Sequence, residues 1–466
     1  MRTLLKTAGL AAVLSGCGAV LAAAPGVIDG RWDATLTTKN GTEIPFRLDL
    51  SGSGDSLKGT LYDGFRPYDG TTSATFKDGQ LVLSIEHYLT TITAQLQDGQ
   101  LVGSVSSQGR GQSQQFTFHA VHHADAAATA VPAVAVTVPN IAGSWVVPLP
   151  TPSAKGEKAF RFIVEQHGSE AAASILRVDG DTGQYSGSYQ DGKWLLSHFD
   201  GSRPGVITVI PNADGTLTIQ QHLDRPVRAA DAQPAGAKSS YGTEDAPNGR
   251  NAAELLAYRA DVAVAKGLPQ PENYETHTTA RDPHEKFTFN FPDDHGKLVS
   301  NEDPRFKGKV VLAIVTGTWC PNCHDEAQYL VQLDRKYRDQ GLAIVALDFE
   351  EPEQQNGLER ERAFVKQYGV KYTYLIAGAP AQMWEKVPQL ANLNTWPATV
   401  FVGRDGTARA VHSGFASPAS GEFNTQLKQE FESKIEALLT EKAPADTKTT
   451  STIAPGAQPV QVAQAN

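Results

Sequence analysis

The chain has 466 residues, enough for roughly three domains, with 41 basic and 51 acidic residues and a formal charge of −10. That balance argues against nucleic acid or an anionic lipid surface as a partner. Past the N-terminal leader no stretch is apolar for long enough to span a bilayer, and only three cysteines occur: Cys17, Cys320 and Cys323.

Residues 1–24 read as a secretory signal peptide. A short basic start (Arg2, Lys6) precedes an apolar run from Ala8 to Leu21 and then small residues. Within it, Leu14-Ser15-Gly16-Cys17 resembles the lipobox of bacterial lipoproteins, in which the cysteine becomes the lipidated first residue. Cleavage after Ala22 or Ala23 is the rival route, favoured by the apolar run Ala19–Ala24 and discarding Cys17. Both routes export the chain to the cell envelope or periplasm, with a lipid anchor only in the first.

Two β units follow, residues 27–120 and 140–228. Gly30-x-Trp32 recurs as Gly143-x-Trp145, an offset of 113. At the same offset, Phe76-x-Asp78-Gly79-x-Leu81-x-Leu83-Ser84 recurs as Tyr189-x-Asp191-Gly192-x-Trp194-x-Leu196-Ser197. Ile92-Thr93 and Asp98-Gly99-x-Leu101 return at offsets of 115 and 116. Matches in one order with a slowly growing offset are what loop insertions leave in a duplicated unit. Alternation in 46–50, 81–85, 92–96 and 116–120, with Asp-Gly pairs between runs, predicts short antiparallel strands closing as a sandwich or barrel. Whether the units close separately or share one barrel stays open, and Trp32 and Trp145 are read as core anchors.

An Ala/Val/Pro stretch from Ala124 to Pro139 joins the units, and His122-His123 at its start is read as incidental. Residues 229–250, rich in Ala, Pro, Gly and Ser, read as a flexible linker across which few contacts should pass. A helical lead-in is expected over 251–285, with its helix at Ala252–Lys266. Residues 286–440 then alternate strands and helices as one α/β domain. Val310–Val315 and Leu342–Phe349 are continuous apolar runs fitting buried strands. Ala327, Leu330, Leu333 and Tyr337 mark one helix face, and Leu358, Val365 and Tyr368 another. Thr399–Val402 turns through Arg404-Asp405-Gly406-Thr407 into Ala408–His412. A closing helix carries Leu427, Phe431, Ile435 and Leu438, with Ser417-Pro418 as its cap and first position. The tail, 441–466, is rich in Pro, Ala, Thr and Gln and is expected to be disordered.

Cys320-Pro321-Asn322-Cys323, entered through Trp319, falls between a strand's end and a helix's start. Two thiols so spaced can close and reopen a disulfide, and unpaired helix N–H groups favour a thiolate there. A structural staple is the rival, but a four-residue loop constrains little chain. Cys320, nearer the strand, is expected to be the exposed attacker and Cys323 the resolver.

Lys309-Val310-Val311-Leu312 leading to Gly317-Thr318-Trp319-Cys320-Pro321-Asn322-Cys323 resembles the thioredoxin fold, specifically the exported TlpA/ResA-like thiol-disulfide oxidoreductases. Phe291-Pro292-Asp293-Asp294-His295-Gly296-Lys297 is similar to a segment shared with AhpC/TSA and redoxin domains, and Trp396-Pro397-Ala398-Thr399 to the family's cis-proline loop. The resemblance covers about 150 residues and leaves the β repeat outside. It implies a loop at Pro397 that faces the cysteines, a Cys320–Cys323 disulfide in the oxidised form, and Glu326 as a proton shuttle for Cys323. Thioredoxins carry a buried acid where Ile314 stands here, so Glu326 is the candidate replacement; an exposed helix-start glutamate is its plainer reading.

Rival chemistries fit less well. The Pro-x-x-x-Thr/Ser-x-x-Cys setting of peroxiredoxins is absent ahead of Cys320. Cys320, Cys323 and His324 spell the c-type haem string C-x-x-C-H, but the buried strand, Trp319 and the Trp396-Pro397 loop count against haem. His324 is expected on the helix surface. Zinc lacks a second Cys or His pair, so no metal or cofactor is expected. The implied function is an exported thiol-disulfide oxidoreductase acting on protein disulfides and recharged by an upstream envelope electron donor. TlpA/ResA-like proteins mostly reduce, whereas Pro321-Asn322 resembles the Pro-first dipeptides of glutaredoxins and oxidants, so the direction stays open between reductase and oxidant. The alternative is an envelope ligand- or partner-binding protein with an accessory redox domain.

Overall fold

Two nine-stranded antiparallel sheets, each closed into a barrel, precede the α/β domain. The computed structural model describes residues 28–442 apart from 110–111, 125–136, 223–253, 353 and 355–356. The leader with Cys17, the 229–250 segment, most of the Ala124–Pro139 stretch and the tail beyond 442 lie outside the described residues.

The first barrel is an antiparallel meander of β1 (Gly30–Thr37), β2 (Glu43–Ser51), β3 (Lys58–Asp63), β4 (Arg66–Gly70), β5 (Ser73–Lys77), β6 (Gln80–Ile85), β7 (Thr90–Gln97), β8 (Gln100–Gly109) and β9 (Gln112–His122). Its sheet runs β4-β3-β2-β1-β9-β8-β7-β6-β5. The two edges are consecutive in the chain, and the ring closes between them: Thr71 N donates to Gly59 O and Thr72 N to Ser84 O. Trp32, Ala34 and Leu36 point inward at period two and join a core with Leu48, Leu83 and Phe118.

The second barrel uses β10 (Gly143–Pro148), β11 (Ala159–His167), β12 (Glu170–Arg177), β13 (Gly180–Asp181), β14 (Tyr185–Gln190), β15 (Lys193–His198), β16 (Gly205–Pro211), β17 (Leu217–His222) and β18 (Glu254–Arg259). β11 pairs with β12 and β10 with β18, which closes the ring. Corresponding residues do corresponding work in the two barrels. The Trp32 indole donates to Ile28 O and that of Trp145 to Ile141 O, each at 2.9 Å. Asp78-Gly79 and Asp191-Gly192 both take positive φ where β5 turns into β6 and β14 into β15.

The helix expected at Ala252–Lys266 is corrected. Residues 254–259 are β18, paired with β17 and β10, and only Ala260–Ala265 is helical before a short helix at Tyr274–His277. Ala- and Leu-rich composition favours a helix locally, but the barrel lacks its last strand without this segment. Leu255 and Ala257 fill inward positions, so tertiary pairing overrides propensity.

In the α/β domain two ribbons pair β19 (Thr279–Ala280) with β25 (Leu390–Ala391), and β20 (Asn290–Pro292) with β21 (Leu298–Ser300). The main sheet has the order β24-β23-β22-β26-β27. These are β22 (Val310–Thr316), β23 (Leu342–Phe349), β24 (Thr373–Gly378), β26 (Ala398–Val402) and β27 (Ala408–Ser413). β22, buried throughout, lies parallel to β23 and antiparallel to β26. Helices Pro321–Tyr337 and Glu422–Thr440 cover one face through Leu330, Leu333, Phe431 and Ile435. Ser417-Pro418 caps a 3₁₀ turn, Pro418–Ser420, rather than the last helix, which starts after Gly421. No helix among the described residues is long and apolar enough to cross a membrane.

The expectation of few contacts between the β units and the α/β domain also fails. An edge-to-face ring contact (Phe46 on Phe199, 4.9 Å) joins the barrels, and hydrogen bonds of Tyr68 to Asp325 and Ser174 to Ala419 tie both barrels to the α/β domain. Composition can suggest a linker; it carries no information about which surfaces the flanking units share.

Candidate functional site

β22 delivers the chain to Gly317-Thr318-Trp319, and Cys320 becomes the N-cap of the helix Pro321–Tyr337, with Pro321 in its first turn. Cys323 N and His324 N both point at Cys320 O, at 3.0 and 3.3 Å. Across from the cysteines the Trp396–Pro397 peptide bond is cis, and the Cys320 thiol faces Trp396 O at 3.5 Å. Trp319 packs edge-on against Trp396, with centroids 5.1 Å apart, and its indole donates to Phe349 O at 2.9 Å. The structure thus brings Trp319, Cys320, Cys323 and the Pro397 loop together. Cys17 lies outside the described residues.

A buried ionic network holds the approach to Cys320. The Glu350 carboxylate accepts from Thr318 N at 2.9 Å and from Arg360 at 2.6 Å. Arg360 also donates to Glu351 and to Thr318 Oγ1. All four side chains are essentially inaccessible, so this arrangement fixes the loop rather than a mobile surface.

Cys323 is buried, and desolvation pushes its thiol well above the usual range, against a smaller opposing effect from Thr316. Glu326 is not an exposed helix-start residue. It is 1% exposed, accepts a hydrogen bond from Thr399 Oγ1, and burial pushes its carboxyl up to about 8. Burial, then the Glu326 charge, drives the Tyr372 hydroxyl upward, and Cys323 acts in the same direction.

Two expectations are corrected. Cys320 is 4% exposed, not an open attacker: it packs in an apolar cluster with Trp319 and Trp396, and beside it Asn322 Nδ2 donates to Asp179 O of the second barrel at 2.9 Å. His324 is fully buried rather than on the helix surface. Its Nε2 lies 2.7 Å from Thr318 O and its Nδ1 3.0 Å from Tyr368 Oη. Its ring stacks on Tyr88 of the first barrel at 4.2 Å, and burial keeps it neutral. With Nε2 donating to a carbonyl, the network assigns Nδ1 as the acceptor, so neither nitrogen is left for a metal.

Sequence reasoning missed Asp325. Its carboxylate accepts from Tyr68 Oη of the first barrel at 2.8 Å and lies 3.5 Å from Arg203 of the second. Arg203 in turn is bound to Asp200 at 2.6 Å, and Asp200 to His198. Burial pushes Asp325 up to about 7. A cleft of about 230 Å³ lined by Tyr68, Asp325 and Phe415 opens beside it. No local signal marks this aspartate, since its partners stand more than a hundred residues earlier.

Residues 283–411, with the CxxC at a helix N-terminus and the cis-proline opposite, match the family model described as the AhpC/TSA family. The C-terminal domain is thioredoxin-like. A thiol-disulfide oxidoreductase ResA from Bacillus thuringiensis is 31% identical over 114 residues, 24% of this chain and 59% of that relative. One from Halalkalibacterium halodurans is 27% identical over 160 residues, 34% of this chain and 84% of the relative. The chain thus spans less than two thirds of the Bacillus relative, and neither match reaches the whole of the present protein. Among solved structures, a DsbE-type thiol:disulfide interchange protein from Chlorobium tepidum aligns at 22% identity and a TM-score of 0.27. It covers 34% of this chain and 98% of its own. The barrels lie outside the family match, so what surrounds the thioredoxin-like site has to be read from its own contacts.

Proposed function

We propose that the protein is an exported thiol-disulfide oxidoreductase working in the reducing direction on protein disulfides. The observation that carries this reading is the Cys320 thiol at a helix N-cap, facing Trp396 O of the cis-proline loop, with Cys323 one turn behind. The Cys320 thiolate attacks one sulfur of the partner's disulfide, and the partner's other sulfur leaves as a thiolate. Cys323, deprotonated, then attacks the Cys320 sulfur and frees the second partner thiol, leaving a Cys320–Cys323 disulfide. An upstream envelope dithiol returns two electrons and two protons.

Glu326, buried three residues past Cys323 on the same helix with its carboxyl raised to about 8, receives the Cys323 proton in this reading. Burial disfavours the Cys323 thiolate, and a dithiol poorly stabilised as thiolate favours electron donation. Export rests on the pattern of residues 1–24, and the mass of the mature N-terminus separates lipidation at Cys17 from cleavage after Ala22 or Ala23.

In the Cys323→Ser protein the mixed disulfide should accumulate on Cys320 without release. Retained reductase turnover in Cys320→Ser would overturn the assignment.

A further inference from the structure

The groove beside Cys320 is bounded by Asn322, the Trp396–Pro397 loop and the Gly414–Phe415 segment, which Gly414 N ties back to Pro397 O at 2.8 Å. It is filled. The turn between β12 and β13 enters it, and Gly180 forms a parallel backbone bridge with Phe415. Asn322 Nδ2 donates to Asp179 O, as noted above. The fit leaves no slack: a Cβ on Gly180 would stand 2.5 Å from Phe415 O and 2.7 Å from the Asn322 amide. Gly180 takes φ +122 and Gly414 φ +72, conformations that suit glycine.

The turn is anchored by one carboxylate. Asp181 accepts from Ser417 N at 2.7 Å, Ser417 Oγ at 3.0 Å and Ser420 Oγ at 2.6 Å. Ser174 Oγ adds a bond to Ala419 O at 2.9 Å. The bonds of the turn itself are polar, and the apolar cluster around Cys320 and Trp396 contains no barrel residue, although Leu176 at the end of β12 packs with Phe415 and Tyr329 in the neighbouring cluster. An extended chain lying parallel to Phe415 is also the form in which a partner polypeptide would add to this edge.

We propose that the Val178–Asp181 turn is an intramolecular occupant of the docking groove, so that the described arrangement is a closed form in which Cys320 is shielded. A partner cysteinyl peptide must displace the turn, running as an extended strand along Gly414–Phe415. Attack on a disulfide requires the Cys320 sulfur to meet the partner's sulfur directly, and the covered thiol does not allow this. The inference rests on Cys320 being the attacking thiol, but its test does not use turnover.

The full-length protein in its dithiol form is alkylated with iodoacetamide and with a bulky maleimide, and labelling at Cys320 is read by peptide mass. The wild type should react at least about tenfold more slowly than an unhindered thiol, with the larger reagent slowed more. Asp181→Ala should speed labelling by about tenfold, as loss of a charged acceptor implies. Ser420→Ala, a milder change on the opposite face, should speed it about threefold with an unchanged melting curve. A wild-type rate equal to that of a free thiol, or folded variants labelled no faster than wild type, overturns the proposal. Exchange with a small disulfide is followed in parallel. Absent exchange with Cys320 shielded and released as expected would sink the oxidoreductase reading alone. Full exchange with an unshielded Cys320 would sink the occlusion alone.

Discussion

Thr399, two residues past Pro397, donates its hydroxyl to the carboxylate of Glu326, three residues past Cys323. The cis-proline loop and the cysteine helix are thereby joined through a single buried acid.

Glu326→Gln should change both stability and catalysis with pH. Burial raises the folded carboxyl from 4.5 to about 8, so its stabilising contribution is complete below about 4.5 and lost as pH rises through 8. The variant lacks this loss, and its melting temperature should exceed that of wild type at pH 9 by the equivalent of a few kcal/mol, on the order expected for such a shift. Release of the mixed disulfide should slow by about 100-fold, with its pH profile flattened. An unchanged profile returns Glu326 to a packing role.

Asp325→Asn should flatten the pH dependence of stability in a lower window. The folded carboxyl is raised from 3.8 to about 7, chiefly by burial, and Arg203 offsets this only partly because Asp200 is its nearer partner. Wild type therefore loses stability as pH rises from about 4 through 7, and the variant should lose about 4 kcal/mol less over that range. Melting curves at pH 5 and 8 test it; equal slopes for both proteins would remove Asp325 as the cause.

Arg360→Ala should destabilise the chain by about 3–5 kcal/mol, because Glu350 and Glu351 are buried and lose their guanidinium partner. The loop Gly317–Trp319 should loosen with it, visible as faster amide exchange at Thr318, whose N–H is held by Glu350. A melting temperature within a degree of wild type would contradict this account.

Local patterns expose most of the scaffold. Alternation marks β2, β6, β7 and β9; continuous apolar runs mark β22 and β23; and the repeat pairs Trp32 with Trp145. The reactive pair and the proline opposite it are legible as short strings. The burial of His324 is not, because Tyr88 packs on it from 236 residues away in the chain, nor is the approach of Gly180 to Asn322, beside Cys320, from 142 residues away. β18 is misread for a related reason. Its residues favour a helix on their own, and only the unfilled position between β17 and β10 makes a strand of them.

That last strand alters where the protein can be divided. β18 is held by ladders to β17 and β10, and it runs straight into the helix Ala260–Ala265 that leads towards the thioredoxin-like domain. The C-terminal half of the chain thus begins inside the second barrel, as one of its staves. A fragment starting near residue 251 carries that stave away and leaves its neighbours unpaired. Chain scission between β17 and β18 parts two paired staves of one barrel rather than two domains.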